Sequence, residues 1–413
     1  MSERIVITGM GTVNPLGLSV EETWENLLKG VSGVGPITQF DAKEIKVKIA
    51  CEIKDFDPSN YMSYRDARRR DRVQQLATAA SVEAINQAGL SEENIDPERV
   101  GVIISSAVGG LKSLQENMIE LLEEGVRKIS PFAITRLMIN GAGALIAIDH
   151  GYRGPCFSVV SACSTGADTL GMALTMLRSG ELDIAITGSA EAPVTFIGIA
   201  GFDRLGALSR NNEDYSTTPQ PFDLNRNGLV IGEAAAVLVI ETESHAKARG
   251  AEILAELAGY GATEDAFHIT APSEDGDGGA RAILKALKSA KMDKSEVDYI
   301  NAHGTATILN DLSETRAIKA AFGDLAYSIP TSSTKSMTGH TMGAAGSLEA
   351  LICAKTVMED MIPPTINYHT PDPMCDLDYV PNQARTLAVF VAISNSFGFG
   401  GHNSVIVIKK YIL

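Results

Sequence analysis

The sequence predicts an α/β protein, and three observations carry that prediction. Short β-branched runs alternate along the chain with longer helical patterns, which implies βαβ units and a mainly parallel sheet. Several of the short runs, such as Val100–Ile104, are apolar without alternation, as in strands covered on both faces. The two halves of the chain also echo one another loosely. In each, a strand leads into a small-residue turn carrying a reactive residue and then into an Ala/Gly-rich helix; the two segments are Ser158–Gly166 and Thr331–His340.

Taken in order, the expected strands are Arg4–Thr8, Val100–Ser105, Ile184–Thr187, Ala235–Glu241, Glu252–Tyr260, Tyr299–Ala302, Ala388–Ser394 and Ser404–Lys409. Helices are expected over Val20–Lys29, Arg72–Ala88, Ser164–Arg178, Gly278–Ala290, Asp311–Phe322 and Ala344 to about Met358. The first of these lacks a strong cap in the sequence, and the third stops at Gly180. Asn211–Thr218 and Thr242–Gly250 read as connectors, and Ser273–Gly279 as an acidic surface loop. A boundary near residue 250 divides the chain into halves 1–250 and 251–413.

At 413 residues, with 45% hydrophobic and 21% charged residues, the chain is globular and long enough for a large core without disulfide staples. Its charge, 35 − 51 = −16, argues against bulk nucleic-acid binding, which runs on a basic surface. The five cysteines form no C-x-x-C pair, which suits a reducing compartment and disfavours a zinc ribbon. The apolar run Ile5-Val6-Ile7 after Met1-Ser2-Glu3-Arg4 is too short for a signal peptide. No apolar stretch approaches the ~20 residues that span a bilayer. The expected setting is cytoplasmic, with no membrane insertion.

Cys163 follows a strand and opens a helix. Free N–H groups and the positive dipole end there favour a thiolate and can later hold an oxyanion. His303 and His340 each sit in a glycine-marked turn, from which a neutral imidazole can reach a central cleft and donate to developing negative charge. A zinc pair is weak, because no matching His or Cys spacing accompanies them. Lys335, amid small hydroxyl residues, pairs in this reading with Glu349 or with Asp311. The turn Asn395–Asn403 carries Phe397 and Phe399 between glycines; a backbone N–H there could complete an oxyanion hole and the rings could gate an apolar pocket. Arg65, Arg68, Arg69, Arg70 and Arg72, with Arg127-Lys128, read either as a solvated face or as a dock for an acidic partner.

Together, Val160–Gly166, Asn301–Thr305, Thr334–His340 and Asn395–Gly401 resemble motifs of the β-ketoacyl-acyl carrier protein synthases, and the chain resembles the synthase II branch most. Further marks are Ile5–Gly11, Pro221-Phe222-Asp223 and Asp265–Thr270. The resemblance implies a thiolase-like, five-layered αβαβα fold of two similar halves, a homodimer, and acyl carrier protein as partner. It implies a decarboxylative Claisen condensation in fatty-acid elongation, with no metal or organic cofactor because substrates ride on phosphopantetheine. Cys163 would carry the acyl chain, with His303, His340 and Lys335 catalytic and Glu349 and Asp311 supporting. Phe399, with Phe397, would form the oxyanion site and gate. Phe202 and Val108 would line the acyl pocket, and Thr270, Thr305 and Thr307 the pantetheine channel. Arg65, Arg68, Arg69, Arg127 and Lys128 would meet the carrier. A polyketide ketosynthase, a non-catalytic chain-length subunit and a coenzyme A thiolase are the alternatives; Cys163 counts against the second. Cys375, well before the glycine-rich turn, counts against the third. Three positions depart from the family pattern: Ile308 stands where many members have Pro, Asp168 where some carry His, and Gly232-Glu233-Ala234-Ala235-Ala236 replaces a glycine-richer run.

Overall fold

Runs of β-branched and small apolar residues form the strands of one twisted sheet in the computed structural model, which describes residues 3–412. Its strands are β1 (Ile5–Val13), β2 (Val100–Ser105), β3 (Cys156–Phe157), β4 (Ile184–Glu191), β5 (Ala234–Thr242), β6 (Ala255–Glu264), β7 (Tyr299–Asn301), β8 (Thr331–Ser332), β9 (Val391–Gly398) and β10 (His402–Lys410). The order across the sheet is β8-β7-β9-β10-β6-β1-β5-β4-β2-β3. Read outward from the centre, each half places its first, fifth, fourth, second and third strands in the same order. The directions repeat as well. In each half the two outer pairings are parallel and the two inner ones antiparallel. The halves join where Val6 and Ile7 pair antiparallel with Glu256 and Ala255.

A mainly parallel sheet is therefore not what the chain builds. Direction is set by the connections: the short Phe399–Gly401 turn between β9 and β10 leaves room only for an antiparallel pair. A strand buried on both faces is apolar in either direction.

The helices that position the site are α1 (Val20–Leu28), α2 (Arg72–Ala88), α3 (Leu111–Glu124), α4 (Gly141–His150), α5 (Thr165–Arg178), α6 (Asp277–Ala290), α7 (Ile308–Phe322) and α8 (Ala345–Glu359). Contrary to the sequence reading, α1 is capped: the Ser19 hydroxyl accepts from the Glu22 N–H. Helices α3 and α4 have no counterpart among the helices expected from the sequence. Helices α2 and α4 cover the outer face of the first half-sheet, α6 and α7 that of the second, and α5 and α8 lie between them. This gives five layers around a central core that draws on both halves. Every residue of α8 from Ala345 to Val357 is buried, which its run of small side chains permits on all faces.

The two central helices meet end to end at their N-termini. A Cβ at Gly166 would lie 2.5 Å from the Ser347 N, and one at Gly346 would lie 2.5 Å from the Ala167 N. Each helix follows a 3₁₀ turn, Ala162–Ser164 or Met342–Ala344. The leading residues, Ala162 (φ +51°) and Met342 (φ +50°), adopt the left-handed conformation. The internal echo is thus real, but its register differs from the sequence reading. Gly343, not a residue of Thr331–His340, matches Cys163. The segment between strand and turn is longer in the second half, Ser333–Thr341 against Ser158–Ser161. That extra length carries Lys335 and His340.

Candidate active site

The nucleophile candidate Cys163 lies in the turn between β3 and α5 and is 7% exposed. The end of β9 passes directly against it. A Cβ at Gly398 would lie 2.8 Å from the Ser161 carbonyl oxygen and 3.1 Å from the Cys163 N, so only glycine lets the two segments approach. This approach brings the Phe399 N–H near enough to the Cys163 sulfur to favour its thiolate. Two backbone donors, those of Cys163 and Phe399, therefore converge near one point.

Burial pushes the Cys163 thiol up to about 11, with the Phe399 N–H and the Lys335 charge acting the other way. A helix N-terminus contributes at most ~2 kcal/mol, or ~1.5 in pKa. Burial therefore wins, and the site holds a thiol rather than the standing thiolate the sequence suggests. Alkylation of Cys163 by iodoacetamide is expected to rise about tenfold per pH unit from pH 7 to pH 10, since only the thiolate reacts. A plateau near pH 8 would contradict this.

His340 places Nε2 3.1 Å from the Cys163 Sγ. Its Nδ1 accepts the Met342 N–H at 3.3 Å, so the proton sits on Nε2 and the ring is a donor toward the sulfur. His303 meets it edge-on, with centroids 5.3 Å apart and planes at 88°. Burial first, and then the Lys335 charge, hold both imidazoles well below the usual histidine range, so both are neutral. Lys335 is buried and ion-paired with Glu349. Asp311, the other partner considered, is not there: it accepts the Phe222 N–H at 2.8 Å and lies 3.7 Å from the Arg226 guanidinium.

Glu314 was not legible in the sequence. Its two oxygens accept the His303 and Gly304 N–H groups, each at 2.7 Å, and one also accepts from the Asn395 amide at 3.1 Å. Burial pushes its carboxyl up to about 7. A glutamate in the second turn of α7 gives no local signal; only packing shows that it clamps the strand end bearing His303.

A cavity of about 350 Å³ opens onto these groups. Cys163, His303, His340, Phe397, Phe399, Phe202, Thr270, Thr305 and Thr307 all line it. The Phe202 and Phe399 rings stand 6.3 Å apart, and Phe397 stands 6.0 Å from the His303 ring. Ile308 heads α7 at the cavity mouth. Val108 is absent from the lining and 40% exposed, because the backbone before α3 turns it outward. Arg65, Arg68, Arg69, Arg127 and Lys128 are exposed. Arg70 and Arg72 leave the sequence cluster: Arg70 is buried against Asp149 at 2.7 Å and Arg72 pairs with Glu233 at 2.7 Å.

Donor atoms of Cys163, His303 and His340 lie within 4.8 Å of one another, the spacing of a metal site. The His340 proton occupies the nitrogen that would have to ligate, so the trio fits reactants better than an ion.

Comparison with known proteins accords with this geometry. The family model described as Beta-ketoacyl synthase, N-terminal domain, matches residues 2–246, and its C-terminal domain counterpart matches residues 254–369. The chain is 45% identical over 409 residues to "3-oxoacyl-[acyl-carrier-protein] synthase 2" of Synechocystis sp., covering 99% of this chain and 98% of that one. Identity is also 45% over 410 residues to the protein of that name from Staphylococcus aureus strain N315, covering 99% of each. Among solved structures, the ishigamide ketosynthase/chain length factor superposes with a TM-score of 0.94 at 37% identity, covering all of both chains. A type II polyketide acyl-carrier protein in complex with its ketosynthase gives 0.93 at 36%, again over all of both chains.

Proposed function

The chain belongs to the β-ketoacyl synthase family, and from that premise we propose how it acts as a condensing acyltransferase: Cys163 carries the acyl chain while the two neutral histidines drive decarboxylation. The observation that carries the assignment of roles is the Met342 N–H, which donates to the His340 Nδ1 at 3.3 Å. With Nε2–H fixed by the Met342 N–H, the ring donates and does not abstract.

In the first half-reaction the Cys163 sulfur attacks the acyl thioester of the acyl carrier protein. The N–H groups of Cys163 and Phe399 receive the oxyanion, the carrier sulfur leaves, and the thiol proton passes to it. Thiol in and thiol out balance. Malonyl-carrier protein then enters the channel past Thr270, Thr305 and Thr307. His303 and His340 donate to the malonyl thioester carbonyl as carbon dioxide leaves, and stabilise the enolate. Its carbon attacks the acyl carbonyl, and Cys163 departs as thiolate and regains a proton from solvent. Neutral donors suit this step because they strengthen as charge develops, whereas a cation would hold the malonyl carboxylate in place. Burial and the Lys335 charge keep the histidines neutral, Glu349 pairs with Lys335, and Phe399 gates Cys163.

Fatty-acid elongation is the pathway we assign, on the 45% identity to synthase 2 proteins. Polyketide assembly is the second reading, favoured by the fold likeness to polyketide ketosynthases. Incubation with acyl-carrier proteins of graded chain length, followed by intact-protein mass spectrometry, tests both. The mass is expected to rise by one saturated acyl chain located on Cys163. No adduct, or an adduct elsewhere, removes Cys163 from its role; acceptance of polyketide intermediates alone favours the second reading.

Arg65, Arg68, Arg69, Arg127 and Lys128 are proposed to dock the carrier. On a chain of net −16, an acidic partner needs such a local basic face. The paired variant Arg68→Glu, Arg69→Glu is expected to raise the KM for carrier-bound substrates about tenfold at low salt, and less at high salt, with kcat unchanged. An unchanged KM would exclude both arginines. The reading of residues 1–250 and 251–413 as two halves rests on the repeated strand order. We propose a homodimer joined through the open edge of β3 and the apolar face of α3, where Leu114, Met118 and Leu122 are exposed. Val108, immediately before that helix, would be covered there. No helix among the described residues is long and apolar enough to cross a membrane, in keeping with a cytoplasmic site of action.

A further inference from the structure

We infer that Asp168 sets the spacing of the two oxyanion donors by tying together the two chain segments that supply them; this rests on the condensing reading above. Asp168 lies in the first turn of α5. One carboxylate oxygen, Oδ2, accepts from the Ser161 hydroxyl, two residues before Cys163. The other, Oδ1, accepts from the Ser404 hydroxyl on β10 and from the Tyr260 hydroxyl on β6, the latter at 2.6 Å. Burial and the Asp168 charge keep the Tyr260 hydroxyl protonated, so it is always a donor.

The arrangement is a bridge between the halves of the molecule. Ser161 heads the turn whose Cys163 N–H is the first oxyanion donor. Ser404 follows the turn Phe399–Gly401, whose Phe399 N–H is the second. These two segments come from opposite halves of the chain and touch only because Gly398 carries no side chain. Ala162, between Ser161 and Cys163, holds φ +51°. A non-glycine residue persists there only when its surroundings fix it. The Ser161–Asp168 bond fixes it from one side. On the other, the Ser164 hydroxyl donates to the Ser396 and His402 carbonyls at 2.9 and 2.8 Å. Tyr260 reaches Asp168 by lying flat over Gly171, where a Cβ would collide with its ring. The hydrogen bonds of Asp168 go to Ser161, Tyr260 and Ser404 and not to the Cys163 sulfur. Its role is that of a positioning residue.

The test separates this role from general stability. Asp168→Ala is expected to slow acylation of Cys163 by acyl-carrier protein about 10- to 50-fold, less than the ~10²–10³ that follows outright removal of an oxyanion donor, with KM within about twofold. In a Cys163→Gln background the same substitution should leave malonyl decarboxylation within about twofold, because His303 and His340 serve that step. Asp168→Asn should restore acylation to at least about half, since its amide can donate to the Ser161 hydroxyl while its oxygen accepts from Ser404 and Tyr260. Should Asp168→Ala fail to fold, Ser404→Ala cuts only the hairpin arm and should show the same split. Equal losses in both reactions, no loss in either, or an asparagine variant as slow as the alanine one would overturn the inference. If the unsubstituted protein does not acylate Cys163 at all, the underlying function is at fault instead.

Discussion

Replacing Cys163 by alanine is expected to abolish condensation, with a loss of at least about a thousandfold, whereas Cys163→Gln should continue to decarboxylate malonyl-carrier protein. Loss of the sole nucleophile removes the acyl-enzyme route altogether, and nucleophile deletions cost enzymes that much or more. The glutamine contrast follows from the geometry. Its amide has the size and polarity of the acylated cysteine, and can sit against the Phe399 N–H while the two histidines remain free. Measurement of carbon dioxide release and of 3-oxoacyl product in parallel checks both halves. Near-normal condensation by Cys163→Ala or Cys163→Ser would disprove the assignment.

His340→Ala and His303→Ala are each expected to lower malonyl decarboxylation about 10²- to 10³-fold, the usual cost of one preorganised donor. Acylation of Cys163 should stay within about tenfold, because the two backbone N–H groups serve that step. The pH profile supplies an independent check. Both rings are held neutral well below the ordinary histidine range, so they remain neutral donors as pH falls through 7. Histidine protonation should therefore contribute no fall in decarboxylation above about pH 6, and should lower it only in stronger acid. A decline centred near pH 6.5, the ordinary histidine value, would show that burial and Lys335 do not act as described.

How much of this could be read from the chain depends on the length scale of each feature. Arg72–Ala88 and Val100–Ser105 carry strong local periodicity, and their bounds in the sequence and in the fold coincide. Helix α3 is absent from the helices expected from the sequence, although its apolar residues recur on one face. That stripe is partly exposed in the chain alone. Arg70 and Arg72 illustrate the opposite error. In the sequence they join a run of like charges, but their partners Asp149 and Glu233 lie 79 and 161 residues away.

The candidate site divides in the same way. Cys163, His303, His340 and Lys335 lie in three short motifs with small-residue turns, and each turn is a local property. The choice of Glu349 over Asp311 as the partner of Lys335 is not local. It follows from α8 passing through the middle of the molecule, while Asp311 is drawn to Phe222 and Arg226 at the outer layer. Glu314 and Asp168 likewise acquire their roles from the strand ends they touch.

By itself, then, the sequence pointed to the residues proposed to do chemistry, to the alternation of strands and helices, and to an echo between the two halves. The tertiary structure alone decided strand direction, the ionisation of the thiol and the imidazoles, and the bringing of His340 to 3.1 Å from Cys163 across 177 residues. The physical reason is range. Turn chemistry and periodicity act over a few neighbouring residues and are written in the chain. Burial and electrostatic fields depend on what the far half of the molecule places beside a group, and exist only once the halves have packed.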